Sequence, residues 1–192
     1  MKSKPFIKKI IAGKYKNKTL KIPSKETTRS SKSIVLESFF NTLQFDIIDA
    51  NFVEVFSGSG SIGLEALSRG AGAIKFMERD GEAIKVLKSN IAQTDPSLCQ
   101  IFAGDSFANI NNVVKSLNGE AAYFYIDPPF SIREGMEDIY DKMIKLIVNL
   151  PKQNVEMIII EHMTGLTLDK KLGSYELKKS KKFGNTTLSY YI

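Results

Sequence analysis

Phe52-Val53-Glu54-Val55-Phe56-Ser57-Gly58-Ser59-Gly60-Ser61-Ile62-Gly63-Leu64-Glu65-Ala66-Leu67-Ser68-Arg69 is the stretch that decides the fold class. Its first five residues read as a short buried strand, Gly58 to Gly63 as a glycine loop of the form GxGxxG, and Ile62 to Arg69 as the helix that follows. Small residues in such a loop let the backbone approach a ligand and turn tightly into a helix. One residue is out of character. Glu54 sits in an otherwise apolar strand, where a buried carboxylate needs a donor or a cation to offset its desolvation.

Outward from this unit the hydrophobic period keeps switching between that of a strand and that of a helix. Ile74 to Glu78 reads as a second strand, Gly81 to Ala92 as a helix, Gln100 to Ala103 as a third strand and Ser106 to Leu117 as a helix. Tyr123 to Ile126 is the fourth strand, Met136 to Asn149 a helix, and Val155 to Glu161 the fifth strand. Such alternation predicts an α/β fold with a mostly parallel sheet and helices on both faces. Before it, Ile7 to Pro23 reads as a small basic β-hairpin, and Ile34, Val35, Phe39 and Leu43 mark a helix capped near Ser33 and supported by Glu37. After it, Tyr175 to Lys179 and Thr186 to Tyr191 form an antiparallel hairpin around Phe183-Gly184-Asn185. The chain therefore divides into a basic N-terminal extension, residues 1–32, and a main domain, residues 33–192.

At 192 residues, 43% hydrophobic and 25% charged, the chain suits one well-filled core rather than two domains. No apolar run reaches the roughly 18 residues of a membrane span, and the basic start lacks the apolar segment of a signal peptide. With one cysteine, Cys99, and one histidine, His162, neither a disulfide framework nor a metal site is expected. A cytoplasmic monomer is the expectation. Of the formal charge of +6, the first 32 residues hold +10, with eleven Lys and Arg against Glu26 alone. Lys8, Lys9, Lys14, Lys16, Lys18, Arg29 and Lys32 make this arm a candidate nucleic-acid contact, since each neutralised phosphate releases counterions. A second group, Lys170, Lys171, Lys178, Lys179, Lys181 and Lys182, lies near the C-terminus.

In a parallel sheet, ligands bind beyond the carboxyl ends of the strands, so those ends are read together. The glycine loop follows the first strand, Glu78 ends the second, Asp105-Ser106 follows the third, and Asp127-Pro128-Pro129-Phe130 follows the fourth. A carboxylate at Glu78 can accept from both hydroxyls of a ribose, and Asp105 can accept from an exocyclic amine such as that of adenine. Asp105 also reads as a helix cap. The two prolines fix the backbone and remove two N–H donors, so Asp127 and the Pro128 carbonyl are acceptors with little competition. Phe130 offers a flat face to the base that carries the amine. A dinucleotide would set its pyrophosphate against the glycine loop. S-adenosylmethionine, with an adenine, a free ribose and a cationic methionine end, fits Glu54, Glu78 and Asp105 better and leaves Asp127 for a methyl acceptor.

On these residues the chain resembles the RsmD family, bacterial methyltransferases that modify N2 of a guanine in small-subunit ribosomal RNA. The resemblance runs through Val53 to Ala71, Phe76 to Asp80 and Ile126 to Phe130, and takes in the opening Ile10 to Leu20 and the ending Lys182 to Tyr191. It implies a cofactor site of Glu54, Phe56, Gly58, Ser59, Gly60, Gly63, Glu78, Arg79, Asp105, Ser106 and Asp127. It further implies catalysis by Asp127, Pro128, Pro129 and Phe130, with ribosomal RNA or an assembling small subunit as partner. The sequence departs from the family at Ser30, Ile34 and Leu36, where relatives carry a proline and two arginines. DNA or protein amino-methyltransferases share the Asp-Pro-Pro-Phe notch, and an assembly factor without activity would share the fold.

Overall fold

The computed structural model describes residues 7–23, 31–129 and 138–192. β1 (Ile7–Lys9) and β2 (Thr19–Lys21) pair antiparallel with Lys8 opposite Leu20, forming the expected basic hairpin. α1 (Ser31–Leu43) starts two residues before Ser33. The alternating unit follows as β3 (Asn51–Val55), α2 (Ser61–Ser68), β4 (Ala73–Glu78), α3 (Gly81–Ile91), β5 (Cys99–Ala103), α4 (Ser106–Ser116), β6 (Ala122–Ile126), α5 (Ile139–Val148) and β7 (Val155–Met163). The first turn expected of α5, at Met136, lies outside the described residues. β8 (Lys171–Leu172), β9 (Tyr175–Phe183) and β10 (Thr186–Tyr191) complete the chain. β8 carries too few residues for a period to show in sequence.

The eight strands β3 to β10 form one sheet in the order β5-β4-β3-β6-β7-β10-β9-β8. β3, β4, β5, β6 and β7 are parallel, while β10 pairs antiparallel with both β7 and β9. β4 and β5 build outward on one side of β3, and β6 lies on its other side, so the order reverses between β3 and β6. Ligands of parallel sheets bind at the carboxyl end of such a reversal.

Strand alternation sends neighbouring residues to opposite faces. On one face Phe52, Phe76, Tyr125 and Leu188 pack with Phe39 and Phe40 of α1 and Leu64 of α2. Val53, Val55, Phe124 and Ile126 point the other way, onto Val113 of α4 and Met143 and Ile147 of α5. Ile10, Tyr15 and Leu20 of the hairpin region belong to the first of these cores. The described part of the N-terminal extension thus shares the interior of the main domain. The aromatic contacts at its centre are close, with ring centroids 4.6 Å apart for Phe39 and Phe40 and 5.0 Å for Phe39 and Tyr125.

Buried tyrosines give this core a pH limit. Burial pushes the Tyr123, Tyr175 and Tyr191 hydroxyls up to about 12, with Glu156 and Asp169 adding to the first and last. Burial raises Tyr125 well above its usual value, and the Glu161 and Asp127 charges raise it further. In the unfolded chain a tyrosine ionises near about pH 10. Because the folded values are raised, this stability is fully present below that pH and is lost as pH rises through the folded values. Alkaline titration is expected to show tyrosinate absorbance appearing together with loss of circular dichroism, starting above about pH 10. Ionisation of Tyr123, Tyr125, Tyr175 and Tyr191 in an intact fold would contradict this.

Candidate active site

Glu54 stands in the middle of β3, buried, with its carboxylate turned to the start of α2. Oε2 accepts from the Gly63 N–H at 2.8 Å and Oε1 from the Ile62 N–H at 3.3 Å. The donors that offset its desolvation thus include the positive end of a helix. A Cβ on Gly63 would lie 2.5 Å from Phe76 Cε1 and 2.9 Å from Glu54 Oε2, so only glycine lets strand and helix approach this closely. The arrangement decides between cofactor classes. A dinucleotide needs these amides for its pyrophosphate, and here a carboxylate holds them.

The loop between β3 and α2 is stitched to its neighbours. Phe56 and Gly58 take positive φ values of 63° and 52°, and Gly60 one of 76° at the cap of α2. The Ser57 hydroxyl donates to the Glu54 carbonyl at 2.7 Å and accepts from the Met77 N–H at 3.0 Å. Ser59 is fully buried, and its carbonyl accepts from Asn90 Nδ2 at 2.9 Å. Asn90, on α3, also exchanges two hydrogen bonds with the Lys21 backbone, tying the glycine loop to the hairpin. A Cβ on Gly60 would lie 2.3 Å from Leu87 Cδ1.

Glu78 ends β4 with its carboxylate in a ring of amides. Oε2 accepts from Gly58 N–H at 2.7 Å, and Oε1 from the Arg79 and Asp80 N–H groups at 2.8 Å each. A carboxylate offers about four acceptor directions, so Oε2 keeps one for a ligand hydroxyl. Arg79 itself is exposed. Asp105 caps α4, accepting from Ala108 N–H at 3.0 Å, and Ser106 is buried behind it. The capping role read from sequence is therefore real, and Oδ1 carries it. Phe56 and Phe107 face each other across this edge with centroids 5.6 Å apart.

Asp127, half-buried, leaves the end of β6 at the point where strand order reverses, followed by buried Pro128 and half-buried Pro129. Phe130 and Arg29 lie outside the described residues, as do Ser30 and the side chain of Lys32. Two residues earlier on the same face, the Tyr125 hydroxyl donates to Glu161 Oε2 on β7 at 2.5 Å. This buried pair braces β6 against β7 directly beneath Asp127. Next to it, His162 is already committed. Its Nδ1 lies 2.9 Å from the Met163 carbonyl, which can only accept, so that nitrogen carries the proton and Nε2 accepts from Ser189 at 2.9 Å. Burial holds the imidazole below its usual pKa, hence neutral.

The basic hairpin splits into two groups. Lys9, Lys14 and Lys16 are exposed, while Lys8 turns inward with Nζ 3.0 Å from Ser61 Oγ at the start of α2. Lys14 and Lys18 flank the Tyr15 ring at 5.2 Å each, and Lys18 also reaches the Gln93 carbonyl. Sequence reasoning missed Glu65, Ser68 and Asn90, all buried polar residues on α2 and α3 that anchor the hairpin. The signal available for them was a polar residue recurring on the apolar stripe of a helix, as Asn90 does beside Leu87 and Ile91.

Four parallel strand ends with a glycine loop, Glu78, Asp105 and Asp127 at one edge, and an antiparallel strand inserted beyond β7, are the architecture of the S-adenosylmethionine-dependent methyltransferases. SMU.776, solved in complex with SAH, has this fold: TM-score 0.65, 11% identity, covering 91% of this chain and 53% of that one. The yhhF protein of Escherichia coli is nearer, at TM-score 0.77 and 25% identity over 97% of each chain. A family model described as conserved hypothetical protein 95 matches residues 8–192. The chain belongs to that family, the RsmD family. Ribosomal RNA small subunit methyltransferase D of Buchnera aphidicola subsp. Baizongia pistaciae is 28% identical over 194 residues, covering 100% of this chain and 94% of that protein. Its Escherichia coli K12 counterpart is 31% identical over 125 residues, 64% of this chain and 60% of that protein.

Proposed function

We propose that this protein transfers a methyl group from S-adenosylmethionine to the exocyclic N2 amine of a guanine in small-subunit ribosomal RNA. The observation that carries the reading is the placement of Asp127-Pro128 at the strand-order reversal, on the same sheet edge as the Glu78 carboxylate and the glycine loop. The relatives named for ribosomal RNA support the substrate class.

The residues fit the cofactor. Glu78 has an acceptor direction left for a ribose hydroxyl, Asp105 has Oδ2 for an amine, and Glu54 holds the Ile62 and Gly63 amides that a phosphate would need. When bound, S-adenosylmethionine supplies a methyl group already activated by its sulfonium. The chain's own residues prepare the acceptor. An exocyclic amine is a poor nucleophile because its lone pair is delocalised into the ring. Asp127 and the Pro128 carbonyl, accepting its two hydrogens, draw that lone pair out of conjugation and aim it, so positioning and electrostatics carry the rate. Phe130 stacks on a base that has left its helix or loop.

The decisive measurement compares methyl transfer to small-subunit rRNA from cells lacking the protein with transfer to naked DNA and to total protein, followed by identification of the modified nucleoside. N2-methylguanosine in the rRNA arm is the expected result. Methyl groups on DNA or protein, or on another base, would sink the proposal.

The exposed lysines of the hairpin region contact the RNA backbone in this reading. Truncation is a poor test, because Ile10, Tyr15 and Leu20 fill the core. The combined Lys9→Gln, Lys14→Gln, Lys16→Gln variant is expected to lower the slope of log affinity against log salt by about two to three. An unchanged slope would remove these residues from the interface.

A further inference from the structure

The second lysine group does not form one patch. Lys171 lies opposite Glu176 near the amino end of β9, five residues from Lys181, or about 17 Å along the strand. Lys178 pairs with Glu176 at 3.7 Å. Lys179 and Lys181 differ. They share one face of β9 and lean onto α1, where both ammonium groups reach Thr42 Oγ1 at 3.5 Å and Lys181 also reaches Ser38 Oγ at 3.3 Å. The two like charges are therefore separated by at most twice that distance, and neither makes an ion pair with a described residue. Lys179 is further held over the Tyr190 ring, 4.8 Å from its centroid. Burial, and then the Lys181 charge, lower its pKa. Lysines that serve only solubility spread into water. Two that converge on one hydroxyl repel each other unless an anion sits between them.

Their position relates them to the acceptor site. Ile126 pairs with Ile160, so the following row of the sheet sets Asp127 beside Glu161. Glu161 is opposite Leu188, and Leu188 is opposite Lys181. β9 runs parallel to β6, since each passes through one antiparallel reversal relative to β10. Lys181 thus stands in the same cross-sheet row as Asp127 and on the same face, three strand spacings or about 14 Å away.

We propose that Lys179 and Lys181, with the Ser38 hydroxyl of α1, hold a backbone phosphate of the RNA substrate about 14 Å across the sheet from Asp127. The proposal rests on the rRNA reading above. α1 offers little charge of its own at this place. Ile34, one turn before Ser38, is apolar and 62% exposed, and the β9 lysines supply the cations to the same helix face. A phosphate fits better than an acidic protein segment, because a compact oxyanion can accept from both ammonium groups and the Ser38 hydroxyl at once, while the Thr42 hydroxyl already donates to the Ser38 carbonyl at 3.0 Å.

The test uses the full chain carrying Lys179→Gln and Lys181→Gln, with deproteinised small-subunit rRNA from cells lacking the protein as probe. The salt slope of binding is expected to fall by about 0.7 to 0.9, the contribution of one phosphate. KM for the rRNA should rise at least about fivefold, while kcat and S-adenosylmethionine affinity stay within about twofold. Lys179→Arg with Lys181→Arg should restore the slope, and Lys178→Gln should leave it unchanged. A wild-type slope and KM in the double Gln variant would overturn the proposal. So would an equal loss in Lys178→Gln, or a loss seen with assembled subunits and not with bare rRNA, which would point to a protein partner. Failure of the wild-type protein to methylate rRNA would count instead against the function proposed above.

Discussion

Asp127→Ala is expected to lower single-turnover methyl transfer by about a thousandfold or more while S-adenosylmethionine binding changes by less than about threefold. Asp127 leaves β6 between two fixed points. Below it the Tyr125 to Glu161 hydrogen bond locks β6 to β7, and above it Pro128 and Pro129 restrict the backbone. Its carboxylate is thus held in place before substrate arrives, and a preorganised acceptor of this kind typically carries a factor of about a hundred to a thousand in rate. Loss of the charge and of the aim of the amine's lone pair adds to that. In the proposed site, cofactor binding draws mainly on Glu78, Asp105 and the glycine loop, which the substitution leaves alone. Equilibrium binding of S-adenosylmethionine measured beside single-turnover transfer separates the two effects. Retained transfer would remove Asp127 from the chemistry, and loss of cofactor binding would make it a cofactor ligand instead.

Gly13→Ala is expected to cost upward of about 3 kcal/mol of stability. Gly13 has φ +82°, and a Cβ there would lie 1.7 Å from the Ser68 carbonyl oxygen and 2.3 Å from its carbon. These are backbone atoms of α2, so no side chain can swing aside. Relief requires residues 11–15 to lift away from α2. That forfeits the Ile11 and Ala12 amides on Glu65 at 2.7 and 3.1 Å. It also forfeits the Lys14 and Tyr15 amides on Ser68 at 2.7 and 2.9 Å and the Ser68 hydroxyl on the Ala12 carbonyl at 2.5 Å. Glu65 is almost fully buried and would keep only Arg69, at 2.7 Å, of these partners. Hydrogen bonds to a buried charge are worth about 1.5–3 kcal/mol each, so the sum exceeds the threshold given. The urea midpoint, with limited proteolysis of the N-terminal segment, measures it. An unchanged midpoint would mean that the hairpin is not docked as described.

The parallel sheet was legible because its determinants are local. Phe52 to Val55, Ile74 to Met77 and Tyr123 to Ile126 are apolar runs of strand length separated by helical periods, and short βα connections leave little freedom in how they assemble. The acidic strand ends were legible for the same reason. Once the strands are parallel, Glu78, Asp105 and Asp127 must share an edge. Boundaries shifted by two residues at Ser31 and Met163 and by four at the end of β9, because the sheet ladder and helix ends continue wherever partners are available.

Sequence alone thus determined the fold class, the sheet edge at which the acidic strand ends meet and the residue types found there, all consequences of hydrophobic period and chain order. Only the tertiary structure decided which groups those residues face. Glu54 meets the start of α2, Glu65 and Ser68 hold a hairpin more than fifty residues away, and Lys181 stands in the row of Asp127 through two antiparallel pairings. Partners so distant along the chain leave no periodic trace in it, because the register that joins them is set by packing of the whole sheet.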